Sequence, residues 1–289
     1  VGIVPPAPDF EQDDCGEALH IDGVAFSTVT GNRITRNTGG ILVTDETNPN
    51  HDNLISDNDV EENVPDCGIT LPSHPPNGSA ANIGIASFGV FNNTVEGNLS
   101  AANGAAGTGV FTPTPGTASY NHLIVGNVLL NNNNPGVIFH SHAPGQDLDG
   151  TAVVGNLIEG NGAEPSPGAG ENDGPTEATG IEIYADVAAS PLTGIKVVGN
   201  AIDGEGNDIW VGAPTWANCD AAATPCYVVD VHENNLEGGG VGVNNTGASA
   251  SVLVEASDNY WGCPAGPGHK KCTSAAGNVT TVPFDTTPY

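Results

Sequence analysis

One short motif recurs along this chain of 289 residues and limits its fold more than any other feature. An apolar stretch is followed by Gly or an acidic residue, then Asn, one further residue and an aliphatic. It reads VTGNRI at 29–34, ISDNDV at 55–60, VEGNLS at 95–100, IVGNVL at 124–129, VVGNLI at 153–158, VVGNAI at 197–202 and VHENNL at 231–236, and EASDNYW at 255–261 ends the series. The Asn positions are 32, 58, 98, 127, 156, 200, 234 and 259, at intervals of 26, 40, 29, 29, 44, 34 and 25 residues. Repeats of that length belong to solenoids and arrays, in which each unit buries its apolar face only against its neighbours.

A second element follows each Asn: Gly, then alternating apolar residues, as in GILVTDE (40–46), GITLPSH (68–74), GVFTPTP (109–115), GVIFHSH (136–142), GIEIYAD (180–186), DIWVGAP (208–214) and GVGVNNT (240–246). Each rung thus carries one strand before the Asn, a short one after it and a third after the Gly. The expected fold is all-β: a single-domain right-handed parallel β-helix of about eight rungs, ~4.8 Å apart, with disulfide-linked loops and a C-terminal cap. Residues 1–19 are expected to form an N-terminal arm, 20–261 the β-helix and 262–289 a capping tail. Asn tolerates left-handed backbone angles at tight turns. Its amide can also bond the Asn one rung above, which satisfies turn backbone that no strand reaches.

These residues resemble the pectate-lyase-like β-helix proteins, over roughly residues 20 to 260. The resemblance implies the fold, and it implies one of several activities: polysaccharide lyase, glycoside hydrolase, uronate epimerase or noncatalytic surface protein. The tail NYWGCPAGPG (259–268) looks like the closing rung of exported β-helix proteins. β-Helix lyases commonly use Lys or Arg as the base and calcium to hold the uronate. No Lys or Arg lies on the outward positions here, and the paired-Asp and Gly-His-Gly pattern of β-helix polygalacturonases is missing, so no catalytic residue carries over.

Charge excludes partners. Five Lys and Arg stand against 34 Asp and Glu, a formal charge of −29, so a nucleic-acid footprint cannot form and an anionic membrane repels the chain. No apolar run approaches the ~18 residues of a membrane span. The absence of an initiator Met leads us to expect a mature, secreted chain whose export signal has been removed, and a monomer. Six cysteines suit an oxidising compartment. Of fifteen possible pairings, proximity favours Cys219–Cys226 and Cys263–Cys272, and Cys15–Cys67 follows by elimination; a metal cluster is the rival reading, though no C-x-x-C occurs. Two long rungs, at about 72–91 and 160–179, mark insertions that can wall a groove.

With the third strands aligned on their leading Gly, positions two, four and six point outward. The sixth column reads Glu46, His74, Pro115, His142, Asp186; the fourth Thr44, Pro72, Pro113, His140, Tyr184; the second Leu42, Thr70, Phe111, Ile138, Glu182, Trp210. His140 and His142 stand ~6.6 Å apart along one strand. With His74 two rungs away, they form a candidate site for one divalent metal, zinc or copper, with calcium possible elsewhere. Without metal, His142 beside Asp186 and His140 beside Tyr184 are candidate proton carriers. Glu182 and Asp186 lie ~13 Å apart along the strand, too far for a paired-carboxylate hydrolase, which needs ~5–9.5 Å. Phe111, Tyr184 and Trp210 are candidate platforms for sugar rings. Asp45 and Glu46, near His51 and Asp52, extend the substrate-binding edge. Two functions follow as expectations: a secreted enzyme acting on a neutral or weakly charged polysaccharide, or a noncatalytic surface or carbohydrate-binding protein.

Overall fold

A computed structural model describes residues 17–37, 39–45, 47–63, 83–86, 90–112, 116–141, 145, 147–162, 178–185, 192–213, 226–238, 240–248 and 252–289. The described residues contain strands and turns and no helix. Every strand pairing is parallel, and strands from successive rungs stack into two nine-stranded sheets, one seven-stranded sheet and one two-stranded sheet. One rung shows the plan. Thr94–Glu96 lies in the first sheet, Leu99–Ala101 in the second and Thr108–Thr112 in the third. The next rung repeats it with Leu123–Val125, Val128–Leu130 and Val137–Ser141, each paired in register with its counterpart. The chain is a parallel β-helix, as its repeat requires.

The three-residue strands place one side chain each in the core. Val95, Ile124 and Val153 do so in the first sheet, and Leu129, Ile158 and Ile202 in the second; all are fully buried. Each rung is punctuated every five residues by a left-handed residue and then a ladder residue. Asn92, Gly97 and Ala102 have positive φ, and Asn93, Asn98 and Asn103 follow them. Three polar ladders result. The one expected from the repeat runs unbroken from Asn32 to Asn259: each Oδ1 accepts both the backbone N–H and the side-chain amide of the Asn one rung earlier, at 2.8–3.0 Å. A second runs through Asn37, Asn63, Asn103, Asn132 and Asn161 and ends on Glu205. The third passes from Asn53 and Asn93 to His122 and Thr151.

The structure corrects three expectations. The third strand of the second full rung is Ile83–Ala86, which pairs with Ile41–Thr44 on one side and Thr108–Thr112 on the other; GITLPSH (68–74) lies outside the described residues. The alignment on Gly109 is also two residues out, because Gly107 is the residue that stacks on Gly136 and Gly109 pairs with Ile138. A shift of two residues keeps the inward and outward alternation, with Val110 inside in either frame, so alternation alone does not resolve it. Finally, the expected tail does more than cap: Ser274–Gly277 adds to the third sheet and Val279–Thr280 to the first. Trp261, completely buried, fills the core against Gly242, and Cys263–Cys272 is bonded with Cα atoms 5.1 Å apart. The other two proposed disulfides each involve a residue outside those described: Cys219 in one, and both Cys15 and Cys67 in the other.

Candidate functional site

The third sheet sends alternate side chains into the core and away from it. Val137 and Phe139, Ile181 and Ile183, and Ile209 and Val211 are all completely buried inside. The outward positions between them gather His140, Glu182, Tyr184 and Trp210 on adjacent rungs. His140 pairs in register with Tyr184, and Glu182 with Trp210. The His140 and Tyr184 rings lie 5.2 Å apart and tilted, and Tyr184 stacks on Trp210 at 5.6 Å. Register alone would set Trp210 beside Glu182. It reaches Tyr184 by leaning over Gly212, where a Cβ would stand 2.0 Å from the indole. The cluster therefore needs a glycine in the position next to Tyr184.

These side chains leave the core but are not open to solvent. His140 is 6% exposed, Glu182 6%, Trp210 7% and Tyr184 8%. Outward alternation says which way a side chain leaves the strand and does not say what lies over it. Phe111 falls in the column of His140 and Tyr184, not in that of Trp210, because of the two-residue shift at Gly107. Asp45 follows the third strand of the first full rung, four rungs from Glu182 and so ~19 Å away along the stack. Glu46, His74, His142 and Asp186 lie outside the described residues. Among the described residues, no three His, Cys, Asp or Glu converge tightly enough to hold a metal.

A second file of rings runs up the edge of the helix. His51 stacks on Phe91 at 4.7 Å, Phe91 on Tyr120 at 5.4 Å, and Phe26 meets His51 edge-on at 5.5 Å. His51 Nδ1 lies 2.7 Å from Asp52 Oδ2. Because the stacked rings turn their faces to each other, this file is a spine of the solenoid and leaves few ring faces for a ligand. A groove lined by Arg33, Thr35, Arg36, Glu61 and Glu62 lies on the second sheet, away from the His140 cluster. Arg36 is paired there with Glu62 at 2.7 Å.

His122 is a member of the third ladder, fully buried, and burial pushes its imidazole down to about 3. Sequence reasoning overlooked Glu205 and Asp208. Their signal was available: Asp208 stands where the other third-strand segments have their leading Gly, as DIWVGAP shows, and Glu205 breaks a column of Asn that the five-residue spacing reveals.

These features define a parallel β-helix protein with one aromatic–histidine–glutamate cluster on its third sheet. No protein-family profile and no curated protein matches the chain. Among solved structures it is similar to QnrB1, a plasmid-mediated fluoroquinolone resistance protein, with 8% identity over 92% of each chain and a TM-score of 0.18. A likeness that slight carries no argument, and the fold rests on the strand pairing itself.

Proposed function

We propose that this is a secreted carbohydrate-active β-helix of the pectate-lyase-like class, binding a neutral or weakly charged polysaccharide on the outer face of its third sheet. The observation that supports this is the joined cluster of His140, Glu182, Tyr184 and Trp210 on consecutive rungs. A solenoid held by its ladders has no need of it. Aromatic rings pack against the apolar faces of sugars, and Trp210 and Tyr184 keep 7% and 8% of their surface exposed for such contact. A carboxylate and an imidazole alongside provide hydrogen bonds to hydroxyls and the proton carriers for cleavage. The bonded Cys263–Cys272 pair suits an oxidising compartment.

The proposal is tested by affinity electrophoresis of the purified protein against a panel of neutral, acetylated and acidic polysaccharides, with reducing ends and unsaturated products followed in parallel. Retention by at least one glycan is expected, with at least a tenfold loss in Trp210→Ala. Product release that is lost in both Glu182→Gln and His140→Gln, with retention kept, would place chemistry at the cluster. Equal retention of Trp210→Ala and the parent protein would remove this face from the proposal. The burial of all four side chains favours a second reading, a noncatalytic cell-surface protein, which predicts neither retention nor product.

A further inference from the structure

The corner between the second and third sheets, on the rung built from Ala201–Asp203 and Asn207–Ala213, departs from every rung beneath it. At that corner the second ladder carries Asn63, Asn103, Asn132 and Asn161 in turn, and then Glu205. The position that opens the third strand is Gly107, Gly136 and Gly180 in turn, and then Asp208. In the two upper glycine positions a Cβ would point at core methyls: at Gly136 it would stand 2.6 Å from Ile158 Cγ2, and at Gly180 2.7 Å from Ile202 Cγ2. Asp208 therefore sends its carboxylate inward. Two neutral residues are replaced by two carboxylates on one rung, 2% and 0% exposed.

Their oxygens are under-used. Glu205 Oε1 does the work of the missing Asn by accepting from the Asn161 backbone N–H (3.0 Å) and side-chain amide (3.3 Å). Glu205 Oε2 and both oxygens of Asp208 are buried without a hydrogen bond of good geometry, although the Gly238 backbone N–H lies near enough to Asp208 to favour its charged form weakly. On the next rung Gly238 packs closely over the corner. A Cβ there would stand 2.5 Å from Asp208 Oδ1 and 2.9 Å from the Glu205 backbone oxygen, so these two acceptors lie side by side and the position admits no side chain. Asp203 and Glu237 add negative charge from outside.

We propose that Glu205 and Asp208 form a buried calcium site, with the Glu205 carbonyl as a further ligand and Gly238 admitting no side chain against them. Burying one carboxylate without a counter-charge is costly, and burying two side by side more so. Consistent with that, burial raises Glu205 to about 8, and burial followed by the Glu205 charge raises Asp208 well above the usual carboxylate range. A single proton neutralises one group and satisfies few of the orphaned oxygens. A divalent ion neutralises both and contacts all three. The donors are hard oxygens, with no His or Cys among the described residues at the corner, which disfavours zinc and copper. Magnesium demands a near-ideal octahedron at 2.0–2.1 Å, which two carboxylates and a carbonyl on one tight corner suit poorly. Calcium accepts six to eight oxygens in flexible geometry at 2.3–2.6 Å.

The test uses the purified chain, analysed for bound metal as isolated and then melted after EDTA treatment, with CaCl2 or MgCl2 restored at millimolar concentration. About one calcium per chain is expected, with a rise in melting temperature of about 5 °C or more on restoring calcium and a smaller one with magnesium. Glu205→Gln and Asp208→Asn should each abolish the calcium-dependent rise. Glu205→Gln keeps the ladder bonds, so its β spectrum should be unchanged. Gly238→Ala, which pushes against Asp208 Oδ1 and the Glu205 carbonyl without removing a charge, should weaken calcium binding at least tenfold. An unchanged melting temperature in calcium, with stability that follows pH alone, would show a shared proton and overturn the site. So would a rise of equal size in the variants, which would place calcium on surface carboxylates instead.

Discussion

The imidazole of His122 does in the third ladder what an Asn amide does in the other two. Its Nδ1 accepts the Asn93 backbone N–H at 3.1 Å, which makes the neutral ring protonated at Nε2, where it donates to Ser119 Oγ at 3.0 Å. A proton on Nδ1 would remove the acceptor and charge a fully buried ring. The folded value of about 3 lies below the ordinary 6.5, so the unfolded chain binds more protons between the two. Stability should therefore fall as pH drops from about 6.5 toward 3, by on the order of 4 kcal/mol over the whole window. Urea unfolding across that range checks this; His122→Asn should flatten the slope. Glu205 acts in the opposite sense. It holds a proton up to about 8 when folded and releases it near 4.5 when unfolded, so metal-free protein should lose stability as pH rises from 4.5 to 8, and Glu205→Gln should remove that loss. Within the first ladder, Asn156 accepts from Asn127 N (2.8 Å) and Nδ2 (3.0 Å) and donates to Asn200 Oδ1 (2.9 Å) and Ile124 O (3.0 Å). Asn156→Leu orphans these partners and should cost at least about 1–3 kcal/mol in a denaturant melt.

At the scale of the element, strands of three residues survive because each is pinned by a left-handed residue and a ladder residue at both ends. The third-sheet strands are longer and bear the outward cluster, and their entry depends on close backbone approach at Gly107, Gly136 and Gly180. A Cβ at Gly136 would stand 2.6 Å from Ile158 Cγ2 and 3.0 Å from the Gly180 oxygen. Gly212 has a different part: it is the floor under Trp210. Gly212→Ala should leave the far-ultraviolet β spectrum intact while shifting Trp fluorescence and near-ultraviolet dichroism, because the indole must leave Tyr184 to make room. Unchanged near-ultraviolet dichroism would mean that the Tyr184–Trp210 stack does not rest on that glycine.

Across the whole molecule, the stack is closed by Trp261 and the Cys263–Cys272 bond, and it carries a formal charge of −29. The disulfide closes a short loop between residues nine apart. Replacing both cysteines by Ser should cost about 2–3 kcal/mol on loop-entropy grounds, read from a thermal melt without reductant. Self-repulsion of the carboxylates weakens the compact state, and salt screens it over about 10 Å at 0.1 M. Raising NaCl from low to near-molar concentration should therefore raise the melting temperature.

The sequence by itself determined the solenoid, the first ladder and its rung lengths: every interval between successive motif Asn residues reappears as a hydrogen-bonded step. It could do so because a ladder demands the same side chain at the same place in each rung, and that demand is written in the chain as a repeat. It also contained the Cys263–Cys272 pair, since a loop that short leaves little choice of partner. Only the tertiary structure decided the register of the third sheet, where apolar alternation reads equally well two residues either way, and where Ile83–Ala86 takes the place expected for GITLPSH. It alone showed that outward His140, Glu182, Tyr184 and Trp210 are covered, and that Trp210 crosses columns to reach Tyr184. It alone brought Glu205 and Asp208 together within the solenoid. The alternation of a strand fixes the direction in which a side chain leaves the backbone; what that side chain meets depends on neighbours tens of residues away.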